Sequence, residues 1–584
     1  MTNETETTAY ASIYQIRQIC QDVDAKIDSE FFEVFSQKRT REKARDYVDG
    51  LSNPYLENKT TWGISEYAGY ENPGPLQSLI GENVWSWQRV WSLTAAMAGK
   101  TAMRSASDDP LGIGILFDET ADVKRGRRTC GVAYQHAGCA GGVANCTTWV
   151  MATITGGTVK TWAAADLFLP EKEWFTGNGE KGTARRKAAG MPKRNKFLSK
   201  PRIALRQLRR LRKIFRKIGI KLRHGGGDEV YGRFDELLGD HEKNSEAYAY
   251  FVPRNKRVEL RKGMRVRVDS LLELAEGHWE ARPSGNGLKG PLYYEWAMIG
   301  LSSGRHSLLL RRPLPGERKK LAEEAEAKRK ADSGKTSPAT SAACRKNKGE
   351  LETDRVKEEM ITFCLCYLPP RSPIAPTIDN LVAMTGSRWS AEETNETGKG
   401  PIGWDDNHFR KWESVNKHTA LAGIAMLKSN MILEDLEALR KGDIKISASP
   451  LGRQEACLAE SARNPAPPER DYRDEDIMVP LGDSAIPAGP DDHIPEEIGF
   501  IKLSRDEALR IREIALSGMN EAEMAFHLRC SKWRRRHQAI ARWHHRKTRI
   551  KAMRGPGIQP APADPVTHRD IRPKRKRPAT RLAA

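Results

Sequence analysis

Between about Ala25 and Ala106, apolar residues recur in places by threes and fours. Tyr47, Leu51, Trp62, Ile64, Tyr67, Leu76, Leu79, Ile80, Trp85, Trp87 and Trp91 carry the pattern and predict helices. Pro54, Gly69, Pro73, Gly74 and Pro75 cut the stretch into short pieces, a layout open to a DNA-reading helix-turn-helix or a plain packed bundle. The period then changes. GIGILFDET, Gly112 to Thr120, is an apolar run of strand length that closes on two carboxylates, predicting a buried strand that ends at Asp118. A hairpin and the strand-like TTWVMATITGG at Thr147 to Gly157 follow. From Pro201 to Ile218, the residues Leu205, Leu208, Leu211, Phe215 and Ile218 form one stripe among Arg and Lys, which predicts a basic amphipathic helix. Beyond it, Ile220 to His224 reads as a short strand and Gly225 to Gly227 as a loop. Alternation and β-formers from about Ala247 to Arg312, as in AYAYFVP and LYYEWAMIGL, predict a strand-rich subdomain. Near the end, Ser504-x-x-Glu507 ahead of Ala508, Leu509, Ile511, Ile514 and Leu516 predicts a capped helix.

Two stretches interrupt this order. From Gly316 to Thr362 there is no aromatic residue and the composition is simple, as a linker or a solvated helix would be. The segment from Pro450 to Phe500 holds eight prolines and is strongly acidic, unsuited to a packed core. The longest nearly continuous apolar run is about nine residues, around Met360 to Leu368, against about 20 for a membrane helix. The N-terminal MTNETETTAY lacks the basic-then-apolar order of a signal peptide, so a soluble, unsecreted protein is expected. The nine cysteines are scattered without a CxxC pair, which indicates neither a disulfide framework nor a zinc site.

Charge narrows the function. The chain of 584 residues has 97 Lys and Arg against 76 Asp and Glu, for a net +21. Most of the excess is in two blocks: Lys181 to Arg223 has 18 basic and no acidic residues, and Ser531 to Ala584 has 17 basic residues and two Asp. Elsewhere the chain is net acidic. Concentrated basic blocks on an acidic protein suit a polyanion, with nucleic acid the first candidate. The plainer alternative is that they are solvated faces and tails.

Three acidic positions carry candidate chemistry. A carboxylate at a buried strand, Asp118, needs a hydrogen-bond network or a cation, though it can also cap a turn. Asp228 follows three glycines and opens DEVYG, which alone reads as a turn. In RWSAEETNETGK, Arg388, Glu392 and Lys399 fall at about 0°, 40° and 20° around a helix and share one face. Glu393 points about 100° away from Glu392. A surface Arg-Glu pair is the plainer reading, but Thr394, Asn395, Thr397, Gly398 and Gly400 are poor choices for a surface helix. Two Asp and one Glu from distant parts of a basic chain are the parts of a two-metal phosphoryl-transfer site.

With these residues in place, the chain resembles the DDE transposases of bacterial insertion sequences, specifically the insertion sequence 701 family. ILFDET, the block from Gly131 to Cys146, LFLPEKEW at Leu167 to Trp174 and GDEVYG carry the likeness. So do SGNGLKGPLYYEWA at Ser284 to Ala297, the stretch from Gly386 to Trp412 with His418 beyond it, and KWRRRHQAIARWHHR at Lys532 to Arg546. Together they span roughly Phe31 to Ala552 in order.

The resemblance implies an α/β protein with an RNase H-like catalytic core, in which Asp118, Asp228 and Glu392 are the catalytic metal ligands. They would hold two Mg²⁺, with Mn²⁺ able to substitute. It implies cleavage at terminal inverted repeats and strand transfer into target DNA, a homodimer in synapsis, and a cytoplasmic, bacterial nucleoid-associated location. The expected layout is a helical DNA-binding region at 1–105, core at 106–240, strand-rich insertion at 241–315 and low-complexity linker at 316–362. Second core part with the Glu helix, acidic Pro-rich linker and basic C-terminal helices follow at 363–445, 446–500 and 501–584. Candidate DNA contacts are Arg388, Lys399, Lys124, Arg209, Arg210, Lys213, Arg534, Arg535 and Arg536, with Trp62 and Gln77 as candidates for repeat recognition. The related Tyr-x2-Arg-x3-Glu-x6-Lys signature is met at Arg388, Glu392 and Lys399, but Thr385 replaces the Tyr. The polar, Gly-rich KLRHGGG before Asp228 keeps open an inactive relic that only binds DNA. A nuclease without a joining step is a third reading.

Overall fold

The computed structural model describes residues 10–176, 179–287, 290–318, 360–446, 478–480 and 505–516. A three-residue strand β1 (Tyr10–Ser12) leads into α1 (Ile13–Phe31), α2 (Lys38–Ser52), α3 (Thr61–Tyr67), α4 (Gly74–Gly81) and α5 (Trp87–Ser105). The helices break at the prolines and glycines noted above. Thr60 caps α3 and Ser86 caps α5 by accepting a backbone N–H three residues on.

The strands follow as β2 (Gly114–Val123), β3 (Ala133–Ala137), β4 (Gly142–Gly156) and β5 (Val159–Phe168). After them come helices α6 (Gly179–Ala188) and α7 (Lys200–Lys217), strand β6 (His224–Gly227), helices α8 (Glu229–Gly232) and α9 (Asp235–Lys243), and strand β7 (Ala247–Val252). A hairpin of β8 (Arg257–Arg261) and β9 (Met264–Arg267) precedes β10 (Glu280–Gly287), β11 (Gly290–Gly300), β12 (His306–Arg312) and β13 (Thr362–Tyr367). The chain then forms α10 (Ile378–Gly386), α11 (Trp389–Lys399) and α12 (Trp412–Lys441), the short strand β14 (Met478–Pro480) and α13 (Arg505–Ala515).

One ten-stranded sheet organises these elements, in the order β10-β11-β12-β13-β7-β6-β2-β4-β3, with β5 also paired to β4. Strands β2, β6 and β7 are parallel, and the other pairs in the sheet are antiparallel. The central strands are buried on both faces, so Ile115, Leu116 and Phe117 form an unbroken apolar run.

Three expectations change here. First, β2 does not end at Asp118. Its pairing with β4 continues to Val123 opposite Cys146, which places Asp118 mid-strand. Second, Gly225 to Gly227 are strand rather than loop, and the strand begins only at His224. These glycines are filled from outside: the His241 ring lies 2.3 Å from where a Cβ on Gly225 would sit, and Leu116 and Tyr231 crowd Gly226 and Gly227. An apolar strand is unnecessary where neighbours supply the side chains. Third, most of the strand-rich stretch lies in the main sheet, while β8 and β9 pair only with each other. Strand β7 lies between β6 and β13, and β10 to β12 extend the same sheet beyond β13.

Helix α12 is the hub of the helical layer. It is buried over most of its length and packs on α1, α2, α4, α5, α13 and β5. Several of its buried polar groups are paired, as burial favours. Lys428 meets Asp24 at 2.6 Å and Asp49 at 2.7 Å, and Arg512 of α13 joins the same two carboxylates. His418 Nδ1 accepts from the Tyr47 hydroxyl at 2.8 Å, and Nε2–H donates to the Trp404 carbonyl at 2.8 Å. Thus His418, beyond the Gly386 to Trp412 stretch that carries the resemblance, joins α2 to α12. Its burial pushes the imidazole down to about 4.

Helix α13 covers Ala508, Leu509, Ile511 and Ile514 of the predicted helix. Ser504 itself, the stretches 319–359 and 447–477, and the basic run with Arg534, Arg535 and Arg536 lie outside the described residues. Among the described residues no helix is long and apolar enough to cross a membrane.

Candidate active site

The parallel pairing of β2 and β6 brings two acidic residues side by side. Phe117 stands opposite Gly227, so the next positions in that register are Asp118 and Asp228, on backbones about 4.8 Å apart. Asp228 leaves the strand as the N-cap of α8, where its carboxylate accepts the Val230 N–H at 2.9 Å. The third carboxylate arrives on α11, which packs against β2, β4 and β5. The poor helix formers of this segment have their explanation here: Ser390, Ala391, Thr394, Asn395, Thr397 and Gly398 are its buried face. At Gly398 the Trp162 ring stands 2.1 Å from the position a Cβ would take, so only glycine lets the helix lie this close.

Arg388 and Glu392 form an ion pair across one turn of α11. Glu393, round the side of the helix, binds Lys160 at 2.7 Å instead. Lys399 sits farther along, where its charge acts on Asp122 and Asp405. Lys124 belongs to that second group: its ammonium contacts Asp122 at 2.6 Å and the Asn407 carbonyl at 2.6 Å, and only a tenth of its side chain is exposed. Thr385, at the signature's Tyr position, is buried and donates back to the Leu381 carbonyl at 2.8 Å.

The electrostatics tie the carboxylates into one neighbourhood. Burial pushes the Asp118 carboxyl up to about 7, with Glu119, Glu392 and Asp228 adding to it and Arg388 opposing. Burial likewise raises Asp228, against the Val230 N–H and Arg388, and raises Glu119, against Lys200. Neighbouring residues on a strand face opposite ways. Asp118 meets Asn395 of α11 at 3.0 Å, whereas Glu119 meets Lys200 at the start of α7 at 3.3 Å. The buried Tyr231 phenol lies next to Glu119. Glu119, Lys200, Asn395 and Trp162 are thus additions to the residues expected from the sequence. Asn395 could have been found, since it falls at about −20° on the face shared by Arg388 and Glu392.

Helix α7 extends from this neighbourhood. Its apolar stripe is buried as predicted, but much of its charge is met internally. Arg206 and Arg210 reach Asp166 at 2.9 and 3.5 Å, and Arg209 reaches Asp240 at 2.8 Å. Arg212 is clamped between Asp240 and Glu246 at 2.8 and 2.7 Å. On the outer side, Arg202, Arg206, Arg209, Arg210 and Lys213, with Glu236, line an open cleft of about 640 Å³.

The donor chemistry fits a hard divalent ion, because several oxygen donors are crowded where their own charge is unfavourable. The side chains are not gathered around one. Among the described residues, no three His, Cys, Asp or Glu side chains converge closely enough to hold an ion, and Glu392 is turned onto Arg388.

A protein-family model described as a DDE superfamily endonuclease matches residues 30–240, just over a third of the chain. The match contains Asp118, Asp228 and α7 and ends before α11. No curated protein matches the chain. The mixed α/β architecture with its mixed central sheet is consistent with an RNase H-like DDE domain. The match supports kinship with DDE transposase-like proteins, suggests transposase-type nuclease activity and implies a DNA substrate, in a superfamily that generally uses divalent metals.

Proposed function

We propose that the protein is a DNA transposase of the insertion sequence 701 type. It cleaves at the terminal inverted repeats of its own element and joins the freed 3′-OH to target DNA. The observation that carries this reading is the position of Asp118 on β2 beside Asp228, which directly follows the parallel neighbour β6, with the Glu392 helix packed against β2. Asp118 and Asp228 would hold two Mg²⁺ ions between them, and Glu392 would complete one shell on leaving Arg388. Such ions supply a polarised attacking oxygen and a stabilised leaving oxygen. Arg388 would then be free for the DNA strand, and Lys399 would stay with Asp122.

The test is cleavage of a labelled duplex carrying the DNA ends that flank the gene, with Mg²⁺ or Mn²⁺. Cutting at the element boundary should fall at least about 1000-fold, or about 4 kcal/mol, in Asp118→Ala, Asp228→Ala and Glu392→Ala. Cutting that survives Asp118→Ala would refute the assignment. The Arg388–Glu392 pairing also suits the second reading, an inactive relic that only binds DNA. Salt-sensitive binding without divalent-dependent cleavage, together with decayed repeats flanking the gene, would favour that one.

The outer side of α7 suits a DNA backbone leaving the site. Lys200 at its start touches Glu119, and 18 residues of helix extend for about 27 Å. Arg202→Ala with Lys213→Ala should lower the slope of log affinity against log salt by about 2. Fluorescence anisotropy across a salt series measures this, and an unchanged slope would remove α7 from the interface.

A further inference from the structure

Asn395 is held from both sides. Its Oδ1 accepts the Trp162 indole N–H at 2.9 Å, and its Nδ2 donates to Asp118 Oδ2 at 3.0 Å. An indole nitrogen can only donate, so the amide oxygen must face Trp162 and the amide nitrogen must face the carboxylate. Trp162 itself cannot turn, because it is wholly buried on β5 against Trp404 and the surface of Gly398. Its place depends on a break in the β4–β5 register between Ala152 and Thr153. That break reverses the alternation along β5, so Lys160 and Trp162 meet α11 while Asp166 meets α7.

We propose that Trp162 and Asn395 are positioning residues that fix the Asp118 carboxylate: the indole sets the amide, and the amide engages Oδ2, leaving Oδ1 available for a cation. The same two bonds dock the Glu392 helix onto β2 and β5, so the first and third acidic residues are positioned together. This rests on the reading of Asp118 as a catalytic carboxylate. Asn395 touches no substrate; it acts through Asp118.

Three variants test it. Trp162→Phe keeps an aromatic ring on β5 and removes the donor with part of the indole's contact on Gly398, freeing the amide to flip. Asn395→Leu keeps the volume and removes both bonds. Asn395→Asp keeps the indole bond and sets a carboxylate against Asp118. Boundary cleavage should fall about tenfold in Trp162→Phe and further in the two Asn395 variants. Adding Trp162→Phe to Asn395→Leu should cost nothing more, since the relay is already broken. A second readout needs no activity. In protein with ¹⁵N-indole tryptophan, the N–H signal lost in Trp162→Phe should move in Asn395→Leu and stay in place in Glu392→Ala. If Asn395→Leu does not fold, the cutting rate of Trp162→Phe decides the matter.

Trp162→Phe cutting at the wild-type rate, or an indole signal indifferent to Asn395, overturns the relay while Asp118→Ala still fails to cut. Wild-type protein that never cuts overturns the catalytic reading instead, and the indole signal still reports whether the bonds exist.

Discussion

Asp118→Asn should melt at a higher temperature than the wild type at pH 8 without divalent ions, and should not cut DNA. Burial pushes the Asp118 carboxyl up to about 7, against an ordinary value of 3.8. A carboxyl raised on folding costs stability when ionised. That cost is fully present above about pH 7, shrinks as pH falls through 7, and is gone below about 3.8. Three pKa units at about 1.4 kcal/mol each set a ceiling of about 4 kcal/mol, and a gain of about 2 °C or more is expected. His224 and His418, each lowered to about 4 by burial, pull the other way, losing stability as pH falls from 6.5 towards 4. Both proteins share those histidines, so the difference between the two melting curves isolates Asp118. It should vanish near pH 4. Adding Mg²⁺ should raise the wild type and leave Asp118→Asn unmoved, because only an ion bound to the native state shifts its melting. Equal melting at pH 8 would mean that the carboxylate is not strained.

The second large effect is structural. Arg212→Met removes the guanidinium that spans Asp240 and Glu246 in the buried joint of α7, α9 and β7. Arg209 still reaches Asp240, and His241 still reaches Glu246 at 2.9 Å, but neither replaces the fork between them. Breaking a buried pair from one side costs about 3–5 kcal/mol. Urea unfolding should show that loss as a lower midpoint at unchanged slope, and a midpoint close to wild type would show that Arg209 and His241 suffice.

The contrast between these sites shows what the sequence could disclose. ILFDET announces its own strand, because an apolar run bounded by carboxylates has few other uses, and Arg388 and Glu392 pair through simple helical spacing. The stripe on α7 is legible for the same reason. Long-range pairing is not. Nothing local says that Lys200 will meet Glu119, or that Asp166, Asp240 and Glu246 will neutralise several of the arginines in a block with no acid of its own. Gly225 to Gly227 look unlike a central strand because their core is supplied by His241, Leu116 and Tyr231. Asn395 shared the reactive face in plain view. Only Trp162, more than 230 positions away, explains its role.

The most direct test of the carboxylate site is anomalous scattering from Mn²⁺ in crystals of the protein bound to its terminal DNA. A peak bridging Asp118 and Asp228 is expected, with Glu392 turned away from Arg388 towards the metal. Peaks elsewhere, or none beside Asp118 while the DNA is bound, would contradict it.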